Sequence, residues 1–295
     1  MKLQLSPRVP FNLNFTLCCG QALRWVQRSH WWYGVVNKKV VKIRQKGHEL
    51  EFYNVGTGFI TNYFRLQDNL PKILLEINKD KSIKAITRWL NGLRILRQDP
   101  WECLISYICA TFKTLSGIKR MILNLCKTFG DPLQFNGGTF FTFPTPKKLA
   151  TVNLQELVEC GLGYRARYVS ESAKIVLETH LDFNRLKKTS YEEARKILLD
   201  FPGVGLKVAD CILLFSLEKL DAFPVDTRIK HALLKCYPQY FSHDFVQRTW
   251  KNSISTIDYK KLNLFGRNYF GKYAGYAQEY LYHYERTKLK PSIYP

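Results

Sequence analysis

The sequence has eight cysteines but no Cys-x-x-Cys pair, and no cysteine follows Cys236. This absence argues against a zinc site of ordinary spacing and against an iron–sulfur loop near the C-terminus. Most of the cysteines stand in apolar helical patterns, which predicts reduced core residues inside a cell. We therefore expect no metal site.

Long apolar runs are also missing. No segment approaches the roughly 18 consecutive apolar residues of a membrane-spanning helix. The first 15 residues, "MKLQLSPRVPFNLNF", lack the apolar core of a secretory signal. We see no internal repeat and no low-complexity linker. These features predict an intracellular protein without a membrane segment.

Acidic residues are scarce relative to basic ones. The 24 Asp and Glu residues stand against 45 Lys and Arg residues, which gives a net charge of +21. The basic residues are spread through helical segments and do not form a tail, so the charge favours a polyanion partner, most often nucleic acid. General solubility and binding to a membrane surface are the alternatives.

The patterning changes along the chain and predicts an α+β fold. From about residue 12 to 55, the stretches "QALRWVQR", "WWYGVV", "KVVKIRQ" and "ELEFYNV" favour an antiparallel meander. From about residue 70 onward the period is helical. We expect residues 1–95 to form a twisted β-rich domain and residues 96–295 to form a helical domain packed against it.

Several residues mark the ends of the predicted helices. Asp80 is placed to cap "KSIKAITRWL", and Pro100 to open "WECLISYICATF" as a first-turn proline. Gly130 follows an amphipathic stretch and is a plausible C-terminal cap. Either Thr189 with Glu192 or Ser190 with Glu193 has the spacing of a capping box.

The stretch "FPGVGLKVADCILL" (201–214) predicts a tight turn between two helices. Pro202 ends the first helix, whereas Gly203 and Gly205 permit positive φ and close backbone approach. The second helix then offers first-turn N–H groups, including that of Val208, to a DNA phosphate. An ordinary helical hairpin is the alternative, but the basic charge of the chain favours phosphate binding.

Lys207 and Asp226 are the candidate catalytic pair. A helix N-terminus disfavours the protonated ammonium, and a nucleophilic lysine must be a neutral amine. Asp226 follows "FPV" at the start of another helix, where it is a natural N-cap but can also stabilise positive charge on a sugar carbon. A lysine with an aspartate is the minimal set that displaces a base from deoxyribose through a covalent imine. A phosphate-binding lysine beside an ordinary cap is the alternative.

The hairpin and "FPVD" resemble the helix–hairpin–helix/Gly-Pro-Asp superfamily of DNA glycosylases, and most closely the eukaryotic-type 8-oxoguanine DNA glycosylases. Four further stretches carry the resemblance, in the order of the family: "GQALRW" (20–25), "GLRILRQDPWECLISYIC" (92–109), "GLGYRARYVSESAK" (161–174) and "YAGYAQEYLY" (273–282). The resemblance implies a bifunctional enzyme that excises 8-oxoguanine and cuts the strand by β-elimination. It also implies that no metal or organic cofactor is needed.

The resemblance assigns four residues to recognition of the damaged base. Oxidation of guanine converts N7 from an acceptor into an N–H donor, and the glycine whose carbonyl meets that donor in the family matches Gly20. Cys211 and Tyr282 match the residues that stack on the two faces of the base. Gln278 matches the glutamine that bonds its Watson–Crick edge. Without the resemblance, Gly20 is a turn residue, Cys211 and Tyr282 are core residues, and Gln278 is solvated.

The contacts to the opposite strand depart from the family. Tyr164 and Arg165 preserve its Tyr-Arg pair, but Phe112 stands where the family has an asparagine wedge and Gly117 where it has an arginine. Phenylalanine fills the gap left by a flipped base but forms no hydrogen bond with cytosine. We therefore predict a weakened preference for cytosine opposite the lesion. Arg228 replaces a frequent histidine and is placed to bond a phosphate.

Two other functions stay open from the sequence alone. One is a glycosylase of the same fold for another damaged base. The other is a non-catalytic hairpin protein that binds duplex DNA, although phosphate binding alone needs no aspartate at position 226. We expect a monomer that works with double-stranded DNA containing 8-oxoguanine, in the nucleus of a eukaryote or in the cytoplasm or nucleoid otherwise; a viral setting is also open.

Overall fold

The structure is a computed structural model that describes residues 1–288. An antiparallel sheet of five strands forms the N-terminal part, in the order β1-β5-β4-β3-β2. Its strands are β1 (Lys2–Gln4), β2 (Val26–Arg28), β3 (Trp31–Val36), β4 (Lys39–Lys46) and β5 (Glu49–Tyr53). The predicted meander is thus confirmed as β2 to β5. The additional strand β1 pairs with the free edge of β5, with Lys2 opposite Glu51.

Two segments differ from the sequence prediction. The helix α1 (Leu13–Cys18) lies inside the stretch expected to be strand-like, and the Asn12 side chain caps it by accepting the N–H of Phe15 at 2.9 Å. The hairpin of β6 (Pro132–Phe135) and β7 (Gly138–Phe141) interrupts the part expected to be mainly helical.

The rest of the described chain is mainly helical. The first group of helices is α2 (Thr57–Tyr63), α3 (Leu70–Ile77), α4 (Lys81–Trp89), α5 (Pro100–Cys109), α6 (Leu115–Phe129), α7 (Pro146–Thr151), α8 (Leu154–Leu157) and α9 (Arg165–Glu178). The second group is α10 (Phe183–Lys188), α11 (Tyr191–Leu199), α12 (Leu206–Ser216), α13 (Thr227–Cys236), α14 (His243–Lys251), α15 (Thr256–Phe270) and α16 (Ala274–Lys288). A wide turn at 158–162 and 3₁₀ turns at 238–240 and 271–273 complete the elements.

The predicted helix ends are largely confirmed. Asp80 accepts the N–H groups of Ser82 and Ile83 at 2.7 and 3.1 Å, and Pro100 begins α5. Of the two possible capping boxes, Ser190 with Glu193 is the one that forms, which starts α11. Gly130 ends α6 with extended backbone.

Buried side chains form two hydrophobic clusters. One lies under the sheet and includes Trp25, Phe52 and Leu96, whereas the other fills the space between the helices. Helices α3 and α4 precede the predicted boundary after residue 95, but their buried side chains belong to the cluster between the helices. The two hydrophobic clusters are therefore not separated at that boundary. The division after residue 95 therefore stays a prediction.

The buried guanidinium of Arg94 connects the two clusters. Its Nε donates to Pro10 O at 3.1 Å and one of its terminal nitrogens to Asp68 O at 3.0 Å, while its own carbonyl accepts from Gln21 at 2.8 Å. This network fixes the segment after α1 against the helices, and the candidate site lies at that junction.

None of the eight cysteines, which all lie in the described part of the chain, forms a disulfide bond, and six of them are buried. Between residues 1 and 288, none of the helices combines the length and the apolar character needed to cross a membrane.

Candidate active site

The predicted hairpin joins α11 to α12. Gly203 has a φ of 78°, and a Cβ atom there would lie 2.6 Å from Cδ2 of Tyr168, so the turn requires glycine. Gly205 differs from the prediction, because its φ of −90° is extended backbone and a Cβ there would meet open space. The side chain of Val208 is buried, which leaves its first-turn N–H as the group that a phosphate could contact.

Lys207 is the second residue of α12 and is half-buried. Its Nζ lies 5.3 Å from the centroid of the Tyr107 ring, within the range of a cation–π contact. Tyr107 lies on α5 inside a stretch quoted above, but no sequence signal separated it from the core residues around it.

Asp226 caps α13 as predicted, since its Oδ1 accepts the N–H of Ile229 at 2.8 Å. The cap fixes the direction of the carboxylate at the mouth of the cavity that Lys207 also lines. Arg228, the second residue of α13, lines the same cavity. The hairpin and α13 thus bring an amine and a carboxylate to one opening.

Two connected spaces meet at Lys207 and Asp226. An outer cleft of about 810 Å³ runs along the hairpin. An inner pocket of about 70 Å³ leads from it into the protein. The lining of the inner pocket is Gly20, Gln21, Tyr107, Lys207, Cys211, Phe215, Pro224, Asp226, Gln278, Glu279 and Tyr282. All four residues that the resemblance assigned to the damaged base therefore line one pocket with both members of the catalytic pair.

The inner pocket is small, and its lining combines apolar side chains with polar ones. Gly20 has a φ of 108°, and a Cβ there would lie 3.3 Å from the Tyr282 ring. Burial raises the pKa of the Cys211 thiol to about 12, against the opposing effect of Lys207, so Cys211 is a neutral surface. The buried Oε1 of Gln278 has no hydrogen-bond partner among the described residues.

Gln21 and Glu279 line the pocket but were not predicted. The side-chain amide of Gln21 is hydrogen-bonded within the protein, because it donates to Thr16 O and Arg94 O and accepts from Leu96 N–H. Glu279 is 2% exposed, and its Oε1 has no partner among the described residues. A charged residue within the aromatic stretch "AGYAQEYLYHY" was the signal that the sequence offered for it.

Phe112 separates the outer cleft from a shallower one. It is 94% exposed and has a φ of 53°, an uncommon conformation for a residue other than glycine. The shallower cleft, of about 390 Å³, lies beyond it and is lined by Tyr164, Tyr168 and the hairpin. Gly117, at the start of α6, provides no side-chain donor there.

Arg165 does not face the shallower cleft in the way that Tyr164 does. Tyr164 is 56% exposed, whereas Arg165 is buried beneath it, with its guanidinium 4.3 Å from the Tyr164 ring centroid. Arg165 donates to Thr111 O and to Leu162 O. In this arrangement it supports the loop that carries Phe112.

The described residues contain no group of three or more His, Cys, Asp or Glu side chains that could hold a metal ion.

Two family descriptions match successive parts of the chain. Residues 2–104 match "8-oxoguanine DNA glycosylase, N-terminal domain", and residues 105–239 match "HhH-GPD superfamily base excision DNA repair protein". A probable N-glycosylase/DNA lyase of Methanothermobacter thermautotrophicus is 33% identical over 70% of this chain and 68% of its own length. The N-glycosylase/DNA lyase of Saccharomyces cerevisiae is 30% identical over 90% of this chain and 81% of its own length.

Solved structures agree with the sequence matches. The Clostridium acetobutylicum 8-oxoguanine glycosylase/lyase, in complex with double-stranded DNA containing cytosine opposite 8-oxoguanine, superposes with a TM-score of 0.86. It is 32% identical, and the match covers 98% of each chain.

Proposed function

Since the chain belongs to the 8-oxoguanine glycosylase/lyase family of helix–hairpin–helix base excision repair proteins, we propose that it excises 8-oxoguanine from duplex DNA and then cuts the strand. One observation carries the proposal: the candidate nucleophile and its carboxylate line the same narrow pocket as the four residues matched to base recognition. The complex of the Clostridium protein with DNA that contains this lesion supports the choice of substrate.

In the proposed complex the damaged nucleotide leaves the helical stack and its base enters the inner pocket. C1′ is inaccessible to a nucleophile inside a stacked duplex, so extrusion must precede chemistry. The carbonyl of Gly20 accepts the N7–H that oxidation creates, which guanine lacks. Cys211 and Tyr282 stack on the two faces of the base, and Gln278 bonds its Watson–Crick edge.

In the proposed reaction the neutral Nζ of Lys207 attacks C1′, and the N-glycosidic bond breaks with its electron pair passing to the base, which takes up a proton. Asp226 stabilises the positive charge that develops on the sugar. Loss of a proton from the nitrogen and opening of the sugar give an imine between Lys207 and C1′. Removal of a C2′ proton then expels the 3′ phosphate in a β-elimination.

The hairpin and the flanking side chains hold the duplex around this site. The first-turn N–H groups of α12, with Gly203 and Gly205 beside them, grip a phosphate, and Arg228 contacts a second phosphate near the lesion. Phe112 fills the gap left by the flipped nucleotide, and Tyr164 contacts the opposite strand with Arg165 behind it.

We expect only a weak preference for cytosine opposite the lesion. Phe112 and Gly117 supply no hydrogen bond to that base, and each terminal nitrogen of the buried Arg165 donates to a backbone carbonyl. Single-turnover excision opposite cytosine and opposite adenine measures the preference. A discrimination above about 100-fold, roughly 2.7 kcal/mol, would contradict this expectation.

The proposed chemistry is tested by borohydride trapping on a duplex that carries 8-oxoguanine. The intact protein should give a covalent complex that Lys207→Gln does not form. Lys113→Gln is the matched control, because Lys113 also lines the outer cleft but not the inner pocket.

The trapping experiment also separates the two other functions. Trapping on another damaged base, with none on 8-oxoguanine, would show a glycosylase of different specificity. Tight duplex binding without any trapped complex would show a DNA-binding protein that lacks the chemistry.

A further inference from the structure

The proposed base contacts leave one group of the inner pocket unused. Glu279 follows Gln278 on α16, and its carboxyl group is buried at the pocket wall with Oε1 unpartnered among the described residues. Buried polar atoms are nearly always hydrogen-bonded, so an unpaired carboxyl oxygen in a ligand pocket requires an explanation. Gln278 Oε1 is unpaired in the same pocket. Two adjacent residues of the pocket lining thus each carry one unpartnered acceptor oxygen.

Glu279 is 2% exposed and lies in the lining of the inner pocket. The Cys19 thiol lies beside the carboxyl group and itself donates to Thr16 O at 3.1 Å. The titratable or charged groups that face it come from five parts of the fold: Cys19 after α1, Tyr107 on α5, Cys211 on α12, Asp226 before α13, and Tyr282 and Arg286 on α16. Arg286 is the cation that lowers the pKa of Glu279, and Arg286 also donates to Cys18 O. Lys207 is a second cation in the lining of the same pocket.

Burial raises the pKa of Glu279 to about 7, against the effects of the Cys19 thiol and Arg286, while Asp226 raises it further. Near neutral pH the carboxyl group is therefore present in both forms. Ionised, it offers only acceptors.

A purine of the guanine type presents donors to such a group. Its Watson–Crick edge carries the N1–H and the 2-amino group side by side, and 8-oxoguanine keeps both. A single glutamine oxygen meets one of these donors, and the second requires another acceptor, because leaving a buried donor unpaired is costly.

We propose that Glu279 is a specificity-determining residue that accepts a hydrogen bond from the 2-amino group of the flipped base. This inference rests on the proposed function. In the proposed function, Gly20 recognises N7–H and Gln278 makes one contact to the Watson–Crick edge. The contact from Glu279 adds recognition of the 2-amino group, which distinguishes guanine-type from hypoxanthine-type bases. A charge-assisted contact of this kind favours the amino-bearing base on the order of 10- to 100-fold.

The test compares single-turnover excision of 8-oxoguanine with that of 8-oxohypoxanthine, which lacks the 2-amino group. The intact protein should prefer 8-oxoguanine. Glu279→Ala should slow excision of 8-oxoguanine alone and bring the ratio of the two rates close to one. Glu102→Gln is the matched control, because Glu102 is a carboxylate paired with Arg24 at 2.8 Å outside the inner pocket; its ratio should equal that of the intact protein.

The pH dependence of the same ratio tests the ionised form. The ratio should rise between about pH 6 and pH 8 in the intact protein, as Glu279 loses its proton, and should be flat in Glu279→Gln. Lys207 and Asp226 act on both bases, so changes in the chemical step affect both rates equally and leave the ratio unchanged.

Strand cleavage at a preformed abasic site distinguishes base recognition from a purely structural role of Glu279. A purely structural role would slow this cleavage as well. Strand cleavage at that site needs no base in the pocket, so Glu279→Ala should cleave it at the rate of the intact protein. Equal slowing of both bases and of the abasic site, or an unchanged ratio in Glu279→Ala, would overturn the inference while the proposed function stands. Failure of the intact protein to excise or trap on 8-oxoguanine would overturn both.

Discussion

Phe112 is held in a conformation that costs free energy in the absence of DNA. A non-glycine residue with a φ of 53° is strained, and at 94% exposure the ring gains little from packing. Arg165 bonds the carbonyl of Thr111, the residue before it, and so holds the loop in place. The strain is consistent with a wedge that is set before the duplex arrives.

Replacing Phe112 with asparagine should stabilise the free protein and change its selectivity. Asparagine tolerates left-handed backbone, so Phe112→Asn should raise the free energy of unfolding by about 1 kcal/mol. Its amide can also bond the opposite cytosine, which should increase the ratio of excision opposite cytosine to excision opposite adenine. Urea unfolding and single-turnover assays measure the two effects. A lower urea midpoint would contradict the assignment of strain.

The sequence predicts the positions of some site residues better than those of others. Lys207 and Asp226 were predictable because each stands at a helix start with a local chemical signature. Glu279 was not, because its significance comes from burial beside Cys19 and Gln21, more than 250 residues earlier in the chain. Arg165 was expected to contact DNA, and only the packing shows that it is buried and that its two terminal nitrogens donate to Thr111 O and Leu162 O.

Helix α12 carries both Lys207 and Cys211, and a buried carboxylate holds it in position. Asp210 is fully buried and accepts hydrogen bonds from the hydroxyl groups of Tyr191 and Tyr259, from Asn263 and from Arg195. The Tyr259 hydroxyl also lies 3.3 Å from Leu206 O and 3.5 Å from Val225 N. It therefore touches the neighbours of both proposed catalytic residues.

Removing that hydroxyl should impair chemistry more than DNA binding. Tyr259→Phe leaves an oxygen of Asp210 short of a donor and should lower the free energy of unfolding by about 1–3 kcal/mol. It should also slow excision under single-turnover conditions while the Kd for DNA stays unchanged. Tyr191→Phe is the matched control, because the Tyr191 hydroxyl bonds Asp210 at 2.5 Å and has no bond to the neighbours of Lys207 or Asp226. If both variants lose excision equally, Tyr259 has no positioning role.

The elements that the sequence predicted are those with local signals. The cap at Asp80 and the capping box at Ser190 lie within four residues of the groups that they bond. Strand β1 has only three residues and exists because β5 offers an edge. The β6–β7 hairpin did carry a signal, Asn136-Gly137 between aromatic residues, which the helical pattern on either side obscured.

The net charge of +21 should dominate the affinity of the whole molecule for DNA. Contacts with several phosphates release counterions, so log Kobs should fall with log salt concentration with a slope steeper than about −3. Lys113→Ala should make the slope shallower by about 1, because Lys113 lines the outer cleft. Lys72→Ala should leave it unchanged, because Lys72 is exposed on α3 away from both clefts. Equal slopes for the three proteins would place the DNA elsewhere.

The burial of the thiols, which is partial for Cys18, affects how fast oxidants react with them. Burial raises the pKa of Cys18, Cys19, Cys103, Cys109, Cys126 and Cys211. Peroxide attacks the thiolate and not the thiol, so these groups are almost entirely in the slowly reacting form at neutral pH. Conditions that oxidise guanine would otherwise convert the cysteine beside the substrate base to a sulfenic acid. The burial that shapes the pocket thus also protects it from the oxidants that create its proposed substrate.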